Sequence, residues 1–167
     1  PRAGVRSDSP TGSALAFYLT VAAGAQSGWD LGCFDAASAY LQSSGIERLL
    51  LLKMPAKNPP PGTQPSQILR ASGSIYGTYD AGRQWYLYVR QVLSQFGFRE
   101  SNLERAFYVL TDSDGSVVGL LHTHVDDFLL AWKRGNKLVE SVIPKMVEKL
   151  HMARKSSDFS YCGKRVV

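Results

Sequence analysis

Cysteine is scarce. Cys33 and Cys162 are the two cysteines in 167 residues, and their separation fits neither a metal-binding spacing nor a disulfide framework. That excludes a disulfide-stapled scaffold and makes a reducing intracellular compartment, cytoplasmic or nuclear, the expectation. Long apolar runs are missing too. The longest, Ala14 to Ala25, is broken by Thr20 and Gly24 and falls short of the roughly 20 residues that cross a bilayer. The amino terminus, Pro1-Arg2-Ala3-Gly4-Val5-Arg6, has no apolar signal segment and no initiating methionine, so the chain is expected to be a piece of a longer polypeptide. No internal repeat or low-complexity tract is visible. Acidic residues are the minority, 14 against 19 Lys and Arg, for a net charge of +5. A basic balance is compatible with a nucleic-acid or other anionic partner, but it bears on association rather than on fold.

What is present is ordinary for a globular domain, with 44% hydrophobic and 20% charged residues. That composition excludes wholesale disorder. A domain of this size buries about 70% of its unfolded surface without a covalent staple.

The order of elements is read from periodicity and punctuation. Ser9-Pro10-Thr11 followed by Ala14, Leu15, Phe17, Tyr18, Leu19, Val21 and Ala22 predicts a helix capped by Ser9 or Thr11 and ended by Gly24 and Gly28. Trp29 to Asp35 is expected as a strand, and Glu47 to Met54 as a buried one. Pro55 to Gly62, continuing to about residue 66, is expected as an exposed loop because proline donates no amide hydrogen. A second helix is predicted from Ala81 to Phe96, stopped by Gly97. Ala106 to Thr111 and Ser116 to Thr123 flank Asp114-Gly115, a strong hairpin signal. Phe128 to Trp132 is a further strand, Asn136 to Leu150 a helix that Pro144 should kink, and Asp158 to Val167 a final strand or hairpin. The mixture predicts an α+β fold, an antiparallel sheet with helices packed on one face.

Three acids stand out by their setting. Asp35 ends an apolar strand, while Asp126 and Asp127 lie between Leu120-Leu121 and Phe128-Leu129-Leu130. Two unit charges about 4 Å apart repel by about 4 kcal/mol at an effective dielectric of 20. A divalent cation with oxygen ligands offsets that directly, and two metals on carboxylates are the apparatus of in-line phosphoryl transfer. The plainer alternative is that Asp126-Asp127 caps a hairpin turn, where aspartate is favoured anyway.

The surroundings carry a resemblance. Ser9-Pro10-Thr11, Phe34-Asp35-Ala36-Ala37-Ser38-Ala39-Tyr40-Leu41, Ile75-Tyr76-Gly77-Thr78-Tyr79-Asp80-Ala81-Gly82-Arg83-Gln84-Trp85-Tyr86, Gly97-Phe98-Arg99-Glu100-Ser101, Phe107-Tyr108-Val109-Leu110, His124-Val125-Asp126-Asp127 and Phe159 to Val166 follow one another along nearly the whole chain. In that order they resemble the palm of copia-type retrotransposon reverse transcriptases. The resemblance implies a palm-type sheet over residues 9–167 and an amino-terminal extension, expected to be flexible, over 1–8. It implies template-directed DNA synthesis, with Mg2+ or Mn2+ held by Asp35, Asp126 and the weaker third acid Asp127. Deoxynucleoside triphosphates and an RNA or DNA template-primer would be the partners, with the rest of a polyprotein or a larger assembly beside them.

Further roles follow from the same resemblance. The backbone of Ala36, Ala37, Ser38 and Ala39 would face the triphosphate, with Tyr40 at the gate that excludes a 2′-hydroxyl. Tyr76 and Gly77 would form the floor under the nucleotide, and Tyr161, Cys162 and Gly163 a primer grip. Departures are visible as well. His124 stands where the family usually has tyrosine, and Thr78 to Gly82 replaces a stretch with lysine or glutamine and proline. Most of the fingers, the thumb and an RNase H domain are expected to be absent. The rival reading is a domesticated or decayed fragment with a non-catalytic structural, interaction or nucleic-acid-binding role.

Smaller signals have two readings each. His122, His124 and Asp126 alternate and offer an N/N/O metal site, or merely the triplet that strand alternation produces. Trp85, Tyr88 and Phe96 are a base-stacking platform or a packing face. Lys133-Arg134, Lys145, Lys149, Arg154-Lys155 and Lys164-Arg165 are phosphate contacts or a solvated face. Arg83 is expected to be a structural ion-pair partner.

Overall fold

A computed structural model describes residues 5–166 apart from 44, 47 and 157. Residues 1–4 of the expected extension lie outside that set. So do Glu47 and Val167, which bound two of the expected strands.

Ser13, not Ser9 or Thr11, caps the first helix, α1 (Ala14–Ser27), its Oγ accepting from the Ala16 amide at 3.3 Å. The residues before it form an extended strap, and the Gly12 amide donates to the Thr123 carbonyl at 2.9 Å. Glycine is required there, since a Cβ on Gly12 would stand 2.3 Å from the His122 ring. Helix α1 continues through Gly24 and stops at Gly28, which takes the left-handed conformation. Gly24 is therefore a packing residue. A Cβ there would meet that of Ala131 at 3.3 Å.

Strand β1 (Asp30–Ala36) leads into α2 (Ala39–Gln42). Strands β2 (Leu51–Lys53) and β3 (Ile68–Arg70) pair only with each other. The expected buried strand from Glu47 to Met54 is corrected here. A two-stranded ribbon has no second layer to cover both its faces, so Leu49, Leu51 and Ile68 are 64%, 54% and 63% exposed. Helix α3 (Ala81–Gln95) and the Gly97 stop follow the periodicity. Strands β4 (Arg99–Glu100), β5 (Phe107–Thr111), β6 (Val117–His124) and β7 (Asp127–Trp132) come next. Helix α4 (Lys137–Lys149) is capped by Asn136 and contains Pro144. Strand β8 (Met152–Arg154) and a hairpin of β9 (Phe159–Tyr161) and β10 (Lys164–Val166) complete the described chain.

The main sheet runs β4-β5-β6-β7-β1-β8 with every neighbouring pair antiparallel. Side chains alternate between its faces. Phe34, Phe128 and Leu130 point to one face, where Trp85 and Val89 of α3 and Met146 of α4 complete the larger core. Cys33 and Leu129 point to the other, against Phe17 of α1 and Phe159 and Tyr161 of the β9–β10 hairpin. The α+β architecture, an antiparallel sheet with helices packed on it, is what the chain forms. The large helices α3 and α4 share one face, and α1 with the hairpin takes the other. No helix among the described residues is long and apolar enough to cross a membrane.

Candidate active site

Strands β1 and β7 pair so that Asp35 stands directly opposite Asp127. Opposed residues of an antiparallel pair project to the same side with Cβ atoms about 5 Å apart. The two carboxylates therefore emerge together, on the face that carries Cys33 and Leu129. Asp126 lies in the turn between β6 and β7, whose closing pair is His124 and Asp127. Its neighbour Val125 has φ +57°, an outlier for a β-branched residue and the sign that a tight two-residue hairpin demands at its first position.

Two hydrogen bonds hold this turn. The Ala36 amide donates to the Asp126 carbonyl at 2.8 Å. The Trp85 indole N–H, from the buried side of α3, donates to the Val125 carbonyl at 2.7 Å. Strand register thus sets Asp35 against Asp127, and a tryptophan latch holds the adjoining turn that carries Asp126.

A cation already sits at the pair. The Lys155 ammonium donates to Asp127 Oδ1 and lies 3.7 Å from Asp35 Oδ2. Burial pulls its pKa down, but the hydrogen bond and charge of Asp127, with Asp35 beyond, outweigh that and hold it above the ordinary lysine range. The ammonium stands in for what the pair accommodates, one positive charge between two carboxylates. Among the described residues no group of three or more His, Cys, Asp or Glu converges on a metal position. Asp126 therefore does not close a three-acid cluster.

Tyr40 and Tyr76 form an aromatic pair, ring centroids 4.7 Å apart. Burial raises the Tyr40 pKa, and the negative charge of Asp126 adds to it. Gly77 has φ +83°, which explains glycine there. The amides of Ala36 and Ala37 are not free for a ligand. They donate to the Asp126 and His151 carbonyls at 2.8 and 3.1 Å. Ser38, Ala39 and Tyr40 lie at the first turn of α2, where helix amides lack intrahelical partners. Gln42 ties this segment down, its amide donating to the Ala37 and Leu150 carbonyls at 2.7 and 2.8 Å. Asp80, the acid that replaces part of the expected motif, is buried and held by Arg48 through two hydrogen bonds of 2.9 and 2.8 Å. The guanidinium lowers the Asp80 pKa.

Tyr161 is fully buried and stacks on Phe17 at 5.8 Å. His122 Nε2 lies 3.1 Å from the Ser13 carbonyl and Nδ1 2.5 Å from the Tyr161 hydroxyl. A carbonyl can only accept, so Nε2 carries the proton and Nδ1 accepts from the tyrosine. Burial pushes the His122 pKa down. This is a core histidine with both nitrogens engaged, so of the two readings of His122, His124 and Asp126 the triplet produced by strand alternation is the one the contacts support. In the β9–β10 hairpin the turn is exposed, with Cys162 at φ +47° and Gly163 at φ +74°.

Several other expectations are decided by contacts. Trp85 is buried, and Tyr88 and Phe96 pack against the larger core, so the aromatic stripe is a packing face. Arg83 pairs with Asp8 at 2.6 Å, pinning the strap to α3. Much of the basic third is engaged internally. Arg134 pairs with Asp30, Arg165 with Asp158, and Lys155 with the acid pair. The Arg154 guanidinium lies over Trp132 and the Lys164 ammonium over Phe17.

A family model described as reverse transcriptase (RNA-dependent DNA polymerase) matches residues 7–166. The chain belongs to that family. A curated relative, the retrovirus-related Pol polyprotein from transposon RE2 of Arabidopsis thaliana, is 25% identical over 126 residues, covering 73% of this chain. The chain spans 8% of that polyprotein's length. No solved structure matches.

Within this member of the reverse transcriptase family, the residues that sequence reasoning misses are those that tie distant segments together. Trp85, Gln42 and Arg48 act through bonds to positions 32 to 108 residues away, and no local pattern announces such partners. Lys155 is visible in the sequence only as one of several cations.

Proposed function

We propose that this chain is the palm of an enzyme that adds deoxynucleotides to a primer 3′-hydroxyl under the direction of an RNA or DNA template. The reading is supported above all by Asp35 facing Asp127 across β1 and β7, with Asp126 in the adjoining turn and Tyr40 at its side. Asp35, Asp126 and Asp127 would hold divalent cations of the magnesium or manganese type, whose chemistry is to activate the attacking hydroxyl and neutralise charge at the leaving phosphate.

The remaining roles belong to the chain itself. Strand register keeps Asp35 and Asp127 opposite one another before any substrate arrives, so their backbone positions are set in advance. The amides of Ser38, Ala39 and Tyr40 would be the donors offered to phosphate oxygens, since those of Ala36 and Ala37 are committed to the fold. The Tyr40 ring, backed by Tyr76, would lie against the incoming sugar and exclude a 2′-hydroxyl, with Tyr76 and Gly77 beneath the nucleotide. Cys162 and Gly163, at the exposed turn, would approach the primer end, while Tyr161 acts from the core by fixing that hairpin.

The test is Asp126→Asn in a longer polypeptide that carries this chain with the segments flanking it in its relatives. Extension of a labelled primer is expected to fall by at least about 100-fold, the order of losing one preorganised charge at a phosphoryl-transfer site. Unchanged extension would remove Asp126 from the chemistry. A second reading, a non-catalytic nucleic-acid-binding subunit, is favoured by one observation, the ammonium that occupies the acid pair. Binding that survives replacement of all three aspartates, in a polypeptide without extension activity, would support it.

A further inference from the structure

The acid pair holds a positive charge of its own, and the placement of that charge has a functional consequence. Lys155 follows β8, and its amide is anchored to the Cys33 carbonyl at 2.8 Å. The backbone is therefore fixed beside β1 while the four-carbon stem stays rotatable. Its side chain is 30% exposed, with Asp35 at 48% and Asp127 at 23%. The ammonium has an open path to solvent. Among the described residues no other cation forms an ion pair with Asp35 or Asp127. Arg154 points to the opposite face, over the Trp132 ring at 5.4 Å, and Arg134 is engaged by Asp30.

We propose that Lys155 is an internal counter-cation that closes the Asp35–Asp127 pair in the metal-free chain and must leave before a divalent cation can enter. This rests on the reading of the pair as a metal site. Two facing carboxylates without a cation repel each other, so the metal-free fold gains from the ammonium. A divalent cation and the ammonium compete for the same oxygens. One residue thus couples two properties, metal-free stability and the cation concentration at which the site fills. By linkage, whatever stabilises the metal-free state weakens apparent metal affinity by the same factor.

The experiment titrates Mn2+ into the chain by electron paramagnetic resonance, comparing wild type, Lys155→Met, Lys155→Arg and the Asp35→Asn/Asp127→Asn double variant. Circular dichroism checks each fold. Lys155→Met is expected to bind Mn2+ at least about tenfold more tightly than wild type, as removal of a like charge at short range requires. Lys155→Arg should stay close to wild type, and the double variant should lose binding.

A second readout needs no substitution. Acetylation of wild-type Lys155 by an N-hydroxysuccinimide ester, followed by mass spectrometry, is expected to rise several-fold at saturating Mn2+. Lys57, in the exposed proline-rich loop, is the reference, and sodium chloride of equal ionic strength is the control. Equal Mn2+ affinity in wild type and Lys155→Met, with binding lost in the double variant, overturns the role of Lys155 and leaves the metal reading standing. Unchanged Lys155 reactivity at saturating metal does the same even where the methionine variant does not fold. No Mn2+ binding in any folded variant overturns the metal site together with this proposal.

Discussion

At the scale of single residues, the geometry around the acids depends on groups that carry no charge themselves. Val125 is held at positive φ, a conformation that surrounding contacts must impose on a β-branched residue. The Trp85 N–H supplies one such contact from the core. In Trp85→Phe the ring packing is largely kept and the hydrogen bond is removed, leaving a half-buried carbonyl without its donor. The expected cost is about 1–3 kcal/mol, read from urea unfolding, with a lower extension rate in the longer polypeptide because the Asp126 turn is released. A loss of stability without any change in extension would mean that the turn keeps its shape unaided. In the sequence this residue is only an aromatic on a helical stripe. The stripe is legible from 3.6-residue periodicity, but the direction of one N–H is not.

At the scale of elements, legibility follows how local the determining interaction is. Helices α3 and α4 and the β5–β6 hairpin are readable because amphipathic spacing, Asn136, Gly97 and Asp114-Gly115 act within a few residues. Asp35 and Asp126-Asp127 are readable because acids among apolar strand residues are costly wherever the strands go. The exposure of the β2–β3 ribbon is hidden because four consecutive leucines look alike whether a second layer covers them or not. The start of α1 is hidden because the strap from residue 8 to 12 is held by β6 and α3, not by its own caps. The tether of Arg48 to Asp80, which ties the segment before the ribbon to the start of α3, is equally non-local. Asp80 is nearly fully buried and Arg48 mostly so. Removing one charge of such a pair costs about 3–5 kcal/mol when both are buried, and about 2–3 kcal/mol is expected for Asp80→Asn, since water reaches Arg48. The sign of the pH dependence is fixed as well. Arg48 lowers the Asp80 pKa in the folded state, so the pair contributes fully above the unfolded value near 3.8 and ceases to contribute as pH falls through the folded value. The stability gap between wild type and Asp80→Asn should therefore be largest near neutrality and close in strong acid. A gap independent of pH would show that packing rather than charge carries the tether.

At the scale of the whole molecule, net charge is a poor guide to where an anionic polymer would lie. The +5 balance suggests a broad basic surface over the last third, yet Arg134, Arg165 and Lys155 each have a carboxylate partner, and Arg154 and Lys164 cover aromatic rings. A cation already paired within the fold gains little by approaching a phosphate, because it must give up its partner first. Lys145 and Lys149 differ. Both are exposed on α4, and they line a groove with Tyr88, Phe96, Glu148 and His151. Neither takes part in an ion pair among the described residues. If the chain grips nucleic acid through charge, these two, with the equally exposed Lys133, carry a disproportionate share. Replacing both by glutamine is expected to weaken binding of duplex DNA to a similar degree for every sequence. It should also reduce the slope of log affinity against log salt by about 1.8, about 0.9 for each phosphate no longer neutralised. Replacing Arg134 and Arg165 instead should change that slope far less, since each of them neutralises a carboxylate of the fold rather than a phosphate. A fluorescence-anisotropy titration over several salt concentrations separates the two outcomes. Equal slopes for both double variants would mean that the internal ion pairs open on binding, and that the basic third acts as one surface after all.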